Sequence, residues 1–364
     1  MKPYFSFQWH ITDDCDQRCK HCYIFAESQQ KCIDSMTRGE METVLKNCED
    51  FCETFGRRPY FYLTGGDPIL HPDFWWLLEH FKEKQIPFTI MGNPFHLTED
   101  VCRRLKKCGC VRYQMSLDGL EETHDWFRKP GSYKTTLEKV ATLNAAGIRS
   151  ILMTTVSGKN IDEVPQMIDA AVAAGVKVYA FARYCPTSEE AGAKMAHPAP
   201  APAIGHPCPS KDTNITPRRY RQLLAECDRK FRAYEESGCE TYFHRKDHLW
   251  TLYDYEEGNF AIPEDAEPEM IYGGCNCGNG HLTILPTGEV YACRRVQKSR
   301  VGNAFTDRLA DLWVNELEDY REYDKFAKCS KCELKAWCRG CPAVAAANSG
   351  GDFYAVDPQC WKEI

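Results

Sequence analysis

Cys15-Asp16-Gln17-Arg18-Cys19-Lys20-His21-Cys22 places three thiols at offsets of four and three, directly after the strand-like run Tyr4–Thr12. A loop with this spacing can wrap three thiolates around three irons of a cubane cluster, and soft thiolate is the ligand that such iron sites prefer. Since [4Fe–4S] clusters normally take four protein thiolates, the loop predicts one iron left open for a substrate or cofactor. Taken alone, the stretch is also compatible with a zinc knuckle or with redox-active cysteines.

Length, charge and cysteine content limit the class of protein. With 364 residues the chain is long enough for about two to three domains. Its net charge of −7 comes without a basic block, so neither nucleic acid nor an anionic membrane is an expected partner. No apolar run reaches the roughly eighteen residues of a membrane span, and no signal-peptide pattern is present, so we expect a cytoplasmic protein. That compartment keeps thiols reduced, and the 21 cysteines therefore indicate metal binding rather than disulfides.

The first 235 residues alternate between strand-like and amphipathic helical segments. The predicted strands are Tyr4–Thr12, 59–64, 87–91, 111–117, 148–156 and 176–183. Thr37 and Glu40 have capping-box spacing at the start of the first helix, and Thr216 is predicted to cap a later one. Six βα repeats predict parallel strands joined by right-handed crossovers. Periodicity alone leaves open whether the sheet is doubly wound or a partial barrel.

A second array of cysteines occupies the last ninety or so residues. Its cysteines, in order, are Cys277, Cys293, Cys329, Cys332, Cys338, Cys341 and Cys360, and Gly288 lies between the first two. Between the first two cysteines, Pro286-Thr287-Gly288 predicts the turn of a β-hairpin. The paired CxxC spacing on its own would suit zinc equally well.

Together, the two cysteine patterns resemble those of radical S-adenosylmethionine (SAM) enzymes that carry a C-terminal SPASM domain. The resemblance implies that the open iron chelates the amino and carboxylate groups of SAM. One electron then cleaves SAM to methionine and a 5′-deoxyadenosyl radical, which abstracts a substrate hydrogen atom. It also settles the expected fold, α/β, with a partial (β/α)6 TIM-like barrel over 1–235, a bridging segment over 236–270 and a small Fe–S-rich SPASM domain over 271–364.

Residues at the predicted strand ends match the SAM-binding motifs of this family. Thr64-Gly65-Gly66-Asp67-Pro68 matches a GGE-type motif whose backbone receives the SAM amino group, with Asp67 in place of the commoner Glu. Ser116-Leu117-Asp118-Gly119 with Arg128 matches a signature whose serine and arginine contact the SAM carboxylate. The SAM contacts that the resemblance implies are Gly65, Gly66, Asp67, Ser116, Asp118, Arg128, Arg183 and Tyr23. Instead of contacting SAM, Arg128 could be a surface cation. Tyr23 could likewise be an aromatic residue of the core.

The resemblance also assigns the cluster ligands, which predict three [4Fe–4S] clusters in all. Cys15, Cys19 and Cys22 hold the SAM-binding cluster. The first auxiliary cluster takes Cys277, Cys293 and Cys341, and its fourth ligand is Cys275 unless that iron is open to substrate. The ligands of the second auxiliary cluster are Cys329, Cys332, Cys338 and Cys360. Two residues rather than three separate Cys338 from Cys341, which is a departure from the SPASM pattern.

Three functions compete at this point. The favoured one is modification of a ribosomally made peptide, in which abstraction of hydrogen leads to a cross-link such as a Cys thioether. The second is maturation of an anaerobic sulfatase, but those enzymes usually carry an Asp base where this chain has Arg294. The third is a non-catalytic electron-transfer or zinc-binding protein, which the complete set of SAM landmarks disfavours.

Further partners follow from the same resemblance. The expected reductant is a flavodoxin or ferredoxin. Only fourteen residues precede Cys15, too few for a leader-binding winged helix, so we expect a separate leader-binding protein or a surface of the bridge and SPASM regions to recognise the peptide. The proline-rich run 186–217 is predicted to be either an active-site lid or a disordered insertion, with Cys185 and Cys208 flanking it.

Overall fold

A computed structural model describes residues 2–25, 33–186, 215–267 and 269–364. Most of the proline-rich run predicted to form a lid, with Cys208, lies outside the described residues.

One ten-stranded sheet organises the molecule. Its strands are β1 (Tyr4–Thr12), β2 (Arg58–Gly65), β3 (Phe88–Met91), β4 (Cys110–Ser116), β5 (Arg149–Val156), β6 (Val178–Arg183), β7 (Tyr242–His244), β8 (His281–Ile284), β9 (Glu289–Tyr291) and β10 (Arg300–Asn303). The spatial order is β10-β9-β8-β1-β2-β3-β4-β5-β6-β7. Every pair from β8 to β7 is parallel, and β8-β9-β10 form antiparallel pairs. Among the described residues no pairing joins the two outer strands, so the barrel is partial, as expected.

Ten helices cover the sheet in the described part of the chain, and most of them separate consecutive parallel strands. They are α1 (Arg38–Thr54), α2 (Phe74–Glu83), α3 (Glu99–Lys107), α4 (Glu121–Phe127), α5 (Ser132–Ala145), α6 (Val164–Ala173), α7 (Pro217–Glu236), α8 (Leu249–Glu256), α9 (Leu309–Asn315) and α10 (Pro342–Asn348). The predicted caps are confirmed. Thr37 and Glu40 form a reciprocal capping box on α1, and the Thr216 side chain accepts the Arg219 N–H at the start of α7.

The hydrophobic core lies between β1, β2 and the helices beside them. Trp9, Phe7 and Phe61 are almost completely buried and contact one another through their rings. Burying each such side chain contributes about 1.5–3 kcal/mol. Cys48 and Cys102 are fully buried in the same core cluster, as expected of cysteines with no metal role.

The C-terminal hairpin is a continuation of the barrel sheet, which the sequence did not predict. β8 pairs in parallel with β1, from Ser6 opposite His281 to Trp9 opposite Ile284. The amide of Asn47 in α1 donates to the backbone carbonyl of Asp307 at 2.7 Å and accepts the N–H of Leu309 at 2.8 Å, which holds α9 against α1. The boundaries predicted at residues 235 and 270 remain a prediction. No helix among the described residues has the length and apolar character required to cross a membrane.

Candidate functional site

The carboxyl ends of the parallel strands bring the predicted SAM and cluster residues to one edge of the sheet. The cysteine loop follows β1, Gly66 follows β2, and Asn93 follows β3. Asp118 follows β4, and Arg183 ends β6. In barrels of parallel strands this edge is where the loops form active sites. The structure therefore brings these predicted residues to one edge, and their roles stay predictions.

The double glycine after β2 allows the strand end to approach the cysteine loop closely. Gly65 has φ +129°, and a Cβ on it would lie 2.1 Å from the carbonyl oxygen of Thr12. A Cβ on Gly66 would lie 2.0 Å from the carbonyl oxygen of Asp14. The Gly66 N–H instead donates to the Thr12 carbonyl at 2.8 Å. Only glycine fits both positions, and the contact fixes the start of the cysteine loop.

The three thiols of the loop have the surroundings of metal ligands. The amide of Asn93 lies 3.3 Å from Cys15 Sγ, and a guanidinium nitrogen of Arg128 lies 3.6 Å from Cys19 Sγ. Burial raises the pKa of Cys15 and of Cys19 to about 11. Both thiols are therefore protonated at neutral pH in the absence of metal, and iron has to displace those protons when it binds. A partly buried set of soft donors with cationic and amide groups around it fits an iron–sulfur cluster.

Asp118 is fully buried and fixes the loop after β4 beside the cysteine loop. Its carboxylate accepts from Arg128 Nε at 2.7 Å and from the Thr155 N–H at 2.8 Å, and His21 Nε2 lies 3.4 Å away. Burial alone would raise the pKa of Asp118, but Arg128 and His21 outweigh it and hold the pKa well below its usual range. Arg128 is thus not the surface cation that was its alternative.

His124 adds a pH-sensitive element to this network. Its Nδ1 accepts the Asp118 N–H at 3.0 Å, and its Nε2 lies 3.1 Å from Ser132 Oγ, which suits a neutral ring. Burial, reinforced by Arg128, lowers the pKa of His124 from 6.5 to about 4. As the pH falls, His124 therefore binds a proton in the unfolded chain before it does so in the folded chain. The stability due to the neutral ring is complete above pH 6.5 and is lost as the pH falls towards 4.

We expect His124→Gln to remove this pH dependence. Between about pH 7.5 and 5.5, the free energy of unfolding of the unmodified chain should fall by roughly 1 kcal/mol more than that of the variant. Urea unfolding followed by circular dichroism at both pH values measures the difference. Equal losses in the two proteins would show that His124 is already protonated in the folded state.

Arg183 forms ion pairs with carboxylates from two distant parts of the chain. Its side chain is almost completely buried, and Nε donates to Asp247 at 2.9 Å. Nη1 and Nη2 donate to the two oxygens of Asp357 at 2.6 and 2.8 Å, and Nη1 also donates to Gln359 at 2.9 Å. The predicted contact of Arg183 with SAM stays a prediction. What the structure shows is that this arginine joins the end of β6 to the C-terminal residues.

The other predicted SAM contacts lie at the same edge. Asp67 is fully buried, and the backbone N–H groups of Ile69 and Asn93 lie close enough to interact with its carboxylate. Burial, together with the charge of Asp16, raises the pKa of Asp67 to about 7. Ser116 is the last residue of β4, opposite Met153. The individual contacts of these residues with SAM stay predictions.

Tyr23 connects the first cysteine loop to the C-terminal array. It directly follows Cys22, and the guanidinium of Arg294 lies 5.2 Å from its ring centroid. Arg294 directly follows Cys293, a predicted ligand of the first auxiliary cluster. The SAM-cluster loop and the first auxiliary ligand set therefore face each other across one cation–π contact.

The thiols predicted for the first auxiliary cluster lie close together. Cys277 shares side-chain hydrogen bonds with both Cys275 and Cys293. The bond from Cys277 lowers the pKa of the Cys275 thiol well below its ordinary value, against the effect of burial, and His248 lowers it further. Cys341 is coupled electrostatically to Cys275, and its N–H donates to Asp357 at 2.8 Å. Four clustered thiols, of which Cys275 and Cys293 are favoured as thiolates, suit a cluster with Cys275 as a ligand.

The thiols predicted for the second auxiliary cluster line one common cavity. The four are Cys329, Cys332, Cys338 and Cys360. Lys328 Nζ lies 3.7 Å from Cys360 Sγ, and Cys338 Sγ lies 3.2 Å from the backbone carbonyl of His248. The structure therefore groups the C-terminal cysteines into the two sets that the sequence predicted, and each set fits an iron–sulfur cluster.

Two family models match this architecture. One, described as the radical SAM superfamily, matches residues 9–171, and the other, the SPASM iron-sulfur cluster-binding domain, matches residues 275–342. The chain carries a radical SAM domain. This radical SAM protein is an enzyme that binds SAM and iron–sulfur clusters, and it carries a SPASM domain at its C-terminal end.

Similar proteins fall into more than one functional class. The radical SAM protein is 25% identical to an AdoMet-dependent heme synthase of Methanosarcina barkeri, over 97% of this chain and 95% of that one. It is 24% identical to the mycofactocin maturase MftC of Mycobacterium ulcerans, over 97% and 86% of the two chains. Its fold resembles that of Streptococcus suis SuiB bound to precursor peptide SuiA, with a TM-score of 0.73 and 18% identity. The match covers 100% of this chain and 77% of the SuiB chain.

Three residues of the site of this radical SAM protein were not predicted. Asn93, at the end of β3, contacts both Cys15 and Asp16. The rule that strand ends form the site could have identified it. His248, the partner of Cys275, and Asp357, the partner of Arg183, gave no such signal, because their roles depend on contacts between distant segments.

Proposed function

We propose that this radical SAM protein is a maturase that abstracts hydrogen from a ribosomally made peptide and thereby introduces a cross-link such as a Cys thioether. The observation that carries the proposal is the facing arrangement of Tyr23 and Arg294 between the SAM-cluster loop and the auxiliary ligands. A substrate bound between the SAM-cluster loop and the first auxiliary ligand set would contact both of them. The similarity to a mycofactocin maturase and to the fold of SuiB, which was solved with a precursor peptide, supports a peptide.

The chain's own residues supply binding and orientation. When bound at the open iron, SAM supplies a 5′-deoxyadenosyl radical. Cys15, Cys19 and Cys22 hold the cluster, and the pair of Asp118 and Arg128 fixes the loop that faces it. A guanidinium held by a buried carboxylate has a fixed direction, which suits recognition of the SAM carboxylate. Asp67, a buried carboxylate at the same edge, suits the SAM amino group.

Three clusters are part of this proposal. Iron and sulfide analysis after anaerobic reconstitution should give about twelve of each per chain, four for each cluster. Replacing Cys329 and Cys332 together by Ala should lower both values by about four, because these two thiols line the cavity of the second auxiliary set. About four irons in the unmodified chain, or stoichiometric zinc, would contradict the assignment of three clusters.

The activity test uses the reconstituted, reduced enzyme with SAM and short peptides encoded beside its gene. We expect one peptide to become lighter by two hydrogen atoms, because a thioether replaces one C–H and one S–H bond. 5′-Deoxyadenosine should form in equal amount. Alkylation of the peptide's thiols beforehand should prevent the mass change. SAM cleavage without any change in any peptide would count against a maturase.

A tetrapyrrole is the second candidate substrate, because several relatives that match almost the full chain are heme or Fe-coproporphyrin III synthases. Incubation with iron coproporphyrin III in the same assay tests it by absorption spectroscopy and mass spectrometry. A change in the porphyrin, with every peptide unchanged, would favour this candidate.

The remaining alternatives have less support. The sequence relatives reported above are not sulfatase-maturating enzymes, and Arg294 stands where their Asp base is usual. The radical SAM domain rules out the non-catalytic alternative. We further propose a cytoplasmic protein reduced by a flavodoxin or ferredoxin, with a separate leader-binding protein as a possible third component of peptide recognition.

A further inference from the structure

Among the described residues, three cations at the site edge have no carboxylate partner, unlike the buried arginines near them. Arg128 is neutralised by Asp118, and Arg183 by Asp247 and Asp357. Lys246, Arg294 and Arg295 form a second group, called here the cationic recess. Within the parts of the chain that the structure describes, none of these three side chains forms an ion pair with a carboxylate.

The members of the cationic recess come from two sides of the site. Lys246 follows the end of β7, and its N–H donates to the His244 carbonyl at 2.9 Å. Arg294 and Arg295 follow Cys293, whose own N–H is held by Ser299 Oγ at 3.1 Å. These hydrogen bonds fix the backbone at both places, and the charge of Arg295 acts on Lys246.

Arg294 is held in place mainly by aromatic rings. Its guanidinium lies 5.2 Å from the ring centroid of Tyr23 and 5.9 Å from that of Tyr291. Its Nε is buried, and no hydrogen-bond acceptor for it is found among the described residues. Stacking fixes the plane of the guanidinium and leaves its N–H groups available for a ligand.

Lys246 and Arg295 are exposed to solvent, whereas Arg294 is half-buried. Protein close to the ammonium group, followed by repulsion from Arg295, lowers the pKa of Lys246 to about 8. Like charges that repel each other there are stabilised when an anion binds between them.

We propose that the cationic recess binds a carboxylate group of the substrate and so positions the substrate between the SAM-cluster loop and the first auxiliary ligand set. This rests on the proposed function only in that a substrate must enter this site. Guanidinium groups bind carboxylates with paired hydrogen bonds, and an ammonium adds a point charge. In a chain of net charge −7, such a recess selects for anionic substrates. The carboxylate belongs either to a peptide or to a porphyrin propionate.

Charge compensation of a nearby cluster is the competing explanation. It applies to Arg294 and Arg295, because they are the first and second residues after Cys293, a predicted cluster ligand, and Arg295 interacts electrostatically with Cys185, Cys293 and Cys341. It does not apply equally to Lys246, because no predicted ligand lies within two residues of it in the sequence and the charge that acts on it is that of Arg295. Lys246 is therefore the residue that separates the two explanations.

The test compares Lys246→Gln and Arg295→Gln with the matched control Lys177→Gln, each in the reconstituted holoenzyme. Lys177 immediately precedes β6 at the opposite end of the barrel, where it pairs with the exposed Glu240. One arm measures the affinity for iron coproporphyrin III and for its tetramethyl ester. The other measures selection from a hexapeptide library with free C-terminal carboxylates and from the same library as C-terminal amides.

We expect one arm to show binding that requires the free carboxylate. In that arm Lys246→Gln and Arg295→Gln should weaken binding about 10- to 100-fold, whereas Lys177→Gln should leave it unchanged. Equal binding of acids and their esters or amides, no carboxylate-dependent binding in either arm, or equal affinities for Lys246→Gln and Lys177→Gln would overturn the proposal. A shift of the auxiliary-cluster spectrum by Arg295→Gln without loss of affinity would establish charge compensation instead.

The two arms also separate this inference from the proposed function. Carboxylate-dependent binding of the porphyrin alone would support the cationic recess and contradict a peptide substrate. Peptide modification that is insensitive to Lys246→Gln would support the maturase and contradict the recess.

Discussion

Replacing Cys15, Cys19 and Cys22 together by Ala abolishes SAM cleavage, and we expect 5′-deoxyadenosine formation to fall by more than about 1000-fold. The reason is that this loop alone combines three thiols with the neighbouring groups that suit SAM, namely Asn93 and Arg128. The auxiliary clusters should stay, so the iron content should fall from about twelve to about eight per chain. Anaerobic incubation with dithionite and SAM, followed by chromatography, measures the product.

The matched control replaces three cysteines that are buried in the core, Cys48, Cys102 and Cys227. Each change removes one sulfur from a packed interior and should cost about 1 kcal/mol of stability without removing iron. Continued 5′-deoxyadenosine formation by the loop variant, or an equal loss in the control, would refute the assignment of the SAM cluster.

Replacing Arg183 by Met should lower the free energy of unfolding by about 3–5 kcal/mol. The substitution leaves Asp247 and Asp357 buried and without their guanidinium partner, which is the costly way to break a buried ion pair. Because Asp357 also accepts the N–H of Cys341, we expect the first auxiliary cluster to be lost at lower denaturant concentration. Urea unfolding followed by both circular dichroism and cluster absorbance measures the two effects.

Arg221→Met is the control for this prediction. Arg221 forms ion pairs with Glu256 and Glu257 on the surface, and its side chain is 41% exposed. Such a pair contributes only about 0–1 kcal/mol. If the two variants lost similar stability, Arg183 would not be the link between β6 and the C-terminal residues that its hydrogen bonds indicate.

The local signals in the sequence were sufficient for most of the barrel. Thr37 and Thr216 marked true helix starts, and alternation of strands and helices placed the first six strands within a few residues of their observed bounds. The division of the auxiliary thiols into two sets came from the resemblance to the SPASM pattern, and the structure brings Cys277 close to Cys275 and Cys293 and lines one cavity with the other set.

What the sequence could not give depends on contacts between distant segments. The burial of Arg183 against Asp357 joins residues 174 positions apart, and neither residue has a local pattern that indicates its partner. β7 is only three residues long, too short for a reliable periodicity, yet it brings Lys246 and His248 to the site. The pairing of β1 with β8, which extends the sheet beyond β1, likewise joins distant segments.

The pairing of β1 with β8 has a consequence for how the chain folds during synthesis. Ser6 is opposite His281, so β1 keeps one backbone edge without its partner until about 270 further residues have been translated. An open edge of this kind, flanked by Phe5, Phe7 and Trp9, is a template for pairing with other chains. Contacts of such long sequence separation also form slowly. Nascent chains released before residue 281 should therefore aggregate, and chaperones that cover the first strand should increase the yield of folded enzyme.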